Sequence, residues 1–65
     1  MISSAIRCPN DMVMVFDNMG EQIPEYQGQY ETVRELILRE APPETVFGYW
    51  INYELDITTV PREEW

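Results

Sequence analysis

One cysteine and no histidine in 65 residues leave this chain without an internal staple. Cys8 has no partner for an intrachain disulfide, and one thiol without histidines cannot build a zinc cage. Whatever fold forms must therefore come from packed apolar side chains or from a partner. A chain of about 60 residues buries only about 60 % of its unfolded surface, so the margin is thin. Apolar residues nevertheless make up 45 % of the sequence, with two Trp, four Tyr and two Phe among them. That is too apolar for a disordered acidic tail, and one folded domain over residues 1–65 is expected. Residues 1–11 read as a lead-in and residues 61–65 as a polar tail.

Charge narrows the function classes next. Twelve Asp and Glu stand against four Arg, with no Lys, for a net charge of −8. Nucleic acid and membrane surfaces are anionic and repel such a chain, so neither is an expected partner. A polycationic protein is a partner that fits, and solubility alone is the simpler account. The longest apolar run, Met12 to Phe16, is far short of the about 20 residues a membrane helix needs. No charged region followed by a long apolar stretch opens the chain, so no export signal is expected. The lone cysteine suits a reducing, cytoplasmic compartment.

The apolar pattern sets the expected elements. Met12 to Phe16 is a short run bounded by turn residues, the profile of a strand buried on both faces. Asp17-Asn18-Met19-Gly20 suits a turn, with Glu21-Gln22-Ile23 as the returning strand of a hairpin and Pro24 as its end. Earlier, Ile2, Ala5 and Ile6 suit a short edge strand before a turn at Pro9-Asn10-Asp11. Tyr26, Tyr30, Val33, Ile37 and Ala41 fall on one face of a helix, with Leu36 on its flank and Gly28 as N-cap. Glu31, Glu35 and Arg39 take the opposite side, Glu35 and Arg39 in the favourable i, i+4 order. Pro42-Pro43 stops the helix. From Thr45 to Tyr53 the pattern alternates, with Phe47, Tyr49, Ile51 and Tyr53 on one face and Val46, Gly48, Trp50 and Asn52 on the other. Ile57 to Val60 suits a last short strand. The expected fold is α+β, a β-hairpin, one amphipathic helix and a C-terminal strand in β-β-α-β order, the helix on one face of a small antiparallel or mixed sheet. One helix covers only one face, so Trp50 lies either under the N-terminal segment or under a second chain.

Few residues carry chemistry. Ser3 and Ser4 lie near a chain end, Cys8 has no His to activate it, and no Lys exists for Schiff-base work, so an enzyme is not expected. Asp17, Asn18 and Glu21 around Gly20 lack the alternate oxygen ligands of an EF-hand loop, and turn chemistry explains them without calcium. Neither a metal nor a cofactor is expected. Glu31, Glu35, Glu40 and Glu44 could imitate a phosphate track for a basic cleft, although a solvated helix face explains them too. Leu38, read on the charged side of the helix, and Trp50 are the candidate apolar anchors of such a contact. Trp65 ends the sequence and is expected to dock on the body of the domain.

The stretches CPNDMVMVFDNMGEQIPEYQG, PPETVFGYW and VPREEW resemble small acidic proteins of bacterial phages and mobile elements. The resemblance spans most of the chain and carries no catalytic or ligand motif. It implies a context in which such proteins inhibit host defence or modulate host enzymes. The function expected is therefore a non-enzymatic, acidic, protein-binding inhibitor occupying a basic, nucleic-acid-binding surface of a host protein. The alternative is a self-associating assembly module, a homodimer, whose charge serves solubility only.

Overall fold

A computed structural model describes residues 1–50 and 57–65. Its strands are β1 (Ile2–Arg7), β2 (Met12–Asp17), β3 (Gly28–Gln29), β4 (Val46–Tyr49) and β5 (Thr58–Val60), with one helix, α1 (Tyr30–Glu40). They form a mixed sheet in the order β3-β2-β1-β4-β5. The α+β class is as expected, with more strands than a β-β-α-β order provides. Ile51, Asn52 and Tyr53, assigned by their alternation to the strand after the helix, lie outside the described residues.

The largest correction is at the N-terminus. The expected lead-in is the central strand: β1 pairs antiparallel with β2 and parallel with β4. Its pattern hides this because a register shift between Ile2 and Ser4 breaks the two-residue period. Ile2 and Ala5, three apart, thereby both join the core. The hairpin is accordingly β1–β2, turned at Cys8–Asp11, where the Cys8 amide donates to Met12 O at 2.7 Å. Asp11 takes a positive φ of 65°, a backbone region that Asp tolerates. The residues expected as a returning strand, Glu21–Ile23, make only an isolated bridge, Gln22 to Phe16. Here Gln27 replaces a neighbouring strand, its Oε1 accepting the Val15 amide at 3.1 Å.

The turn after β2 has the expected chemistry. Gly20 sits at φ +82°, and its amide donates to Asp17 O at 3.0 Å. Asp17 Oδ1 accepts the amides of Glu21 (3.0 Å) and Met19 (2.8 Å), and these bonds hold its carboxyl below the ordinary carboxylate pKa. A depressed folded-state pKa stabilises the fold above the unfolded pKa, and the gain is lost as pH falls through the folded value. The stability gap between wild type and Asp17→Ala should therefore be level at neutral pH and narrow in the acid range to what a neutral acceptor keeps. Asp17→Asn keeps the acceptor without the titration, so its gap from Asp17→Ala should stay level there. Urea melts across an acid pH series check this, and a wild-type-to-alanine gap that does not narrow below the carboxylate range would refute it.

Helix α1 packs on one face of the sheet. Across four strands, Val15, Ala5, Phe47 and Val60 lie side by side, and the first three join Val33, Ile37, Ala41 and Trp65 in the buried core. The helix stops before Pro42-Pro43, as expected. Its start differs: Gln29, not Gly28, is the N-cap, and no side chain caps the helix. The β1–β2 turn does the work instead, since Asp11 O accepts the Tyr30 amide at 2.8 Å. Tyr26 falls in a separate 3-10 turn, Pro24–Tyr26, ahead of the helix.

Trp65 is the largest fully buried side chain, 2 % exposed. Its ring meets Tyr30 edge-on at 5.3 Å and Phe47 at 4.8 Å, and its Nε1 donates to Gly48 O at 3.0 Å. The expected docking is found, and the preceding 3-10 turn (Arg62–Glu64) delivers it.

Candidate functional site

The four arginines decide where the negative charge is left uncompensated. Arg7 Nε and Nη2 both bond Asp11 Oδ1, at 2.9 and 2.7 Å, and its guanidinium lies 3.8 Å from the Tyr30 ring centroid. The Asp11 bond holds the Arg7 pKa above its ordinary value. Arg34 Nε donates to Tyr30 Oη at 2.9 Å and to Trp65 O at 3.2 Å. Arg62 spans three carbonyls at the helix end, those of Leu38, Ala41 and Pro42. Arg39 approaches Glu40, with 3.9 Å between charged atoms. All four cations therefore belong to the helix layer.

The candidate contact residues do not share one surface. Glu31 and Glu35 are exposed and form no ion pair among the described residues. They stand one turn apart, roughly 6 Å along the axis. The expected Glu35–Arg39 pair is absent from the described contacts, because Arg39 turns to Glu40. Glu40 is exposed too, but at 100° per residue it lies about 140° around the helix from Glu35. Glu44 is exposed beyond the helix end. These four carboxylates form a distributed acidic surface, not one row.

Leu38 is not on the charged side. It is half-buried and packs against the core, because the buried stripe runs through Tyr30, Arg34, Leu38 and Ala41 as well as Val33 and Ile37. Leu36, the expected flank, is about 120° from Tyr30 by the same geometry. Trp50 is half-buried just after β4, and its amide donates to Arg7 O at 2.8 Å. Its backbone thus extends the β1–β4 pairing.

A further surface lies on the sheet face away from α1, the face that one helix leaves uncovered. There Phe16, Ser4 and Val46 form one cross-strand row, and Met14, Ile6, Gly48 and Thr59 the next. A shallow cavity of about 550 Å³ opens over Ser4, Ile6, Phe16, Asp17, Val46 and Ile57. Met12, Val46 and Ile57 on or beside this face are 38, 47 and 44 % exposed. Gly48 lets β5 close in: a Cβ there would sit 2.9 Å from both Ile57 Cγ2 and Thr58 O. The available signal was the unbroken run Met12–Phe16. Val13 and Val15 turn to the helix, which leaves Met14 and Phe16 on a face that the one helix cannot reach.

Chemistry beyond contact is sparse. Cys8 is buried, and desolvation pushes its thiol above the ordinary pKa, away from the reactive thiolate. Among the described residues no three of Cys, Asp and Glu gather as a metal site, and no helix is long and apolar enough to cross a membrane. The chain matches no protein family, no curated protein and no solved structure.

Proposed function

We propose that this chain is a non-enzymatic, acidic protein-binding module whose partner presents a basic surface of the kind that binds nucleic acid. In a phage or mobile-element setting such a module acts as an inhibitor of a host defence protein. The observation that carries the reading is the commitment of the arginines: Arg7, Arg34 and Arg62 are occupied with Asp11, Tyr30 and the helix-end carbonyls. Glu31 and Glu35 are left exposed, and neither makes an ion pair among the described residues. Uncompensated carboxylates on a rigid helix raise the local concentration of cationic groups and speed encounter.

Reversing both charges, Glu31→Lys with Glu35→Lys, should leave the fold intact, since neither side chain is buried. Capture of basic proteins from a bacterial lysate should fall at least about tenfold, equivalent to about 1.4 kcal/mol. Wild-type capture should itself fade as salt shortens the screening length from about 8 Å at physiological strength. A double variant that captures the same basic proteins at the same salt would sink the helix carboxylates as the contact. The exposed apolar sheet face favours a second reading, self-association into an assembly module, in which dimers persist at high salt and tolerate the charge reversals.

A further inference from the structure

The sheet face opposite α1 is apolar, exposed, and negative without compensation. Among the described residues its cavity is lined by one charged side chain, Asp17, with no cation. Glu21 closes the same turn and is exposed. All four arginines are held in the helix layer by the contacts of Asp11, Tyr30, Trp65, Glu40 and the helix-end carbonyls. The cations thus all lie on the helix side of the sheet, among the helix carboxylates, while the described residues of the opposite face bring carboxylates and no cation.

We propose that this open face docks a cationic amphipathic segment of the protein partner. Its apolar side chains sit over Phe16, Val46 and Ile57, and its Lys and Arg side chains lie along the Asp17–Glu21 turn. The inference rests on the reading of the partner as a basic protein and assigns that partner an element and a place. Charge selects this occupant over a second copy. A two-fold interface would bring two copies of the same face together with no cation from either lining its cavity to meet Asp17, each chain carrying a net charge of −8. A basic amphipathic helix brings the opposite sign and an apolar stripe that fills a groove.

The test uses the full chain and three synthetic helical peptides of one length. The first carries leucines on one face and lysines on the other, the second replaces lysine by glutamine, and the third replaces leucine by serine. Fluorescence anisotropy should show the Leu/Lys peptide binding at least about tenfold tighter than either of the others. Val46→Thr with Ile57→Thr keeps charge and strand propensity, and should weaken the Leu/Lys peptide about tenfold. An unchanged circular dichroism melt would show that this variant still folds. Equal binding of the Ser/Lys peptide would overturn the groove while leaving a basic partner standing. Equal binding of the Leu/Gln peptide would overturn the cationic partner itself, and with it the functional reading. Unchanged affinity of the threonine variant, or no binding of any peptide, overturns the docking site. Sedimentation showing a salt-resistant dimer that the threonine variant dissociates would hand the face to a second copy.

Discussion

Trp65→Ala should remove half or more of the domain's stability. Deleting a buried Trp or Phe side chain typically costs about 3–5 kcal/mol. A chain of this length has about 3–10 kcal/mol of stability in all, from roughly 0.05–0.15 kcal/mol per residue. Trp65 is at the high end of that cost, because three elements meet on it. Its ring lies against Tyr30 of the helix and Phe47 of β4, and its indole N–H bonds the Gly48 carbonyl. Its own carbonyl accepts hydrogen bonds from Tyr30 and Arg34. Removing the ring opens a void between the helix and the sheet that no disulfide or metal spans. Trp65→Phe keeps most of the apolar volume and loses the indole hydrogen bond, so it should fold with a deficit of about 1–2 kcal/mol. Thermal melts by circular dichroism decide: a cooperative alanine-variant melt within a few degrees of wild type would refute the role given to Trp65.

Legibility in the sequence depends on where its period and the tertiary geometry agree. The helix was readable because Val33, Ile37 and Ala41 repeat at helical spacing and Pro42-Pro43 stop it. The last strand was readable from Ile57-Thr-Thr-Val60, which flanks turn and tail residues. The first strand was readable only as a short edge strand and its central place was not, because a register shift between Ile2 and Ser4 disrupts its alternation and the serines there lower its apolar content. Nor was its partner, since Met12–Asp17 could pair with the segment on either side of it, and contacts far apart in sequence make the choice. Val15 shows the competition: its amide takes a glutamine side chain where a strand would have supplied a carbonyl. At the candidate site, the exposure of Glu31 and Glu35 was readable. The commitment of the arginines was not, because Arg62 reaches residues 20 to 24 positions away. Leu38 was misplaced for a related reason: the tail brings Arg62 against that side of the helix, and the apolar stripe widens to meet it.

Arg62→Ala should destabilise the domain by about 2–3 kcal/mol. The last carbonyls of any helix lack partners within it, and here one guanidinium collects those of Leu38, Ala41 and Pro42. Positive charge at this end also complements the helix dipole. The same group lies 5.0 Å from the Phe47 ring centroid, so it bridges the helix end to β4. Hydrogen bonds to a charged group are worth about 1.5–3 kcal/mol each, but Arg62 is only half-buried and water replaces part of what it gives. The net effect is therefore nearer one such bond than three. For a domain of this size it lowers the melting temperature by roughly 10–20 °C, at about 4–8 °C per kcal/mol. Arg62→Lys keeps the charge but loses the planar fork that reaches several carbonyls at once, so it should fall between alanine and wild type. Because Arg62 opens the turn that seats Trp65, the two sites share one structure and their losses should not add. Combining Arg62→Ala with Trp65→Phe should cost less than the sum of the single changes. Strict additivity in denaturant melts would mean that Arg62 holds the helix end without helping to seat Trp65.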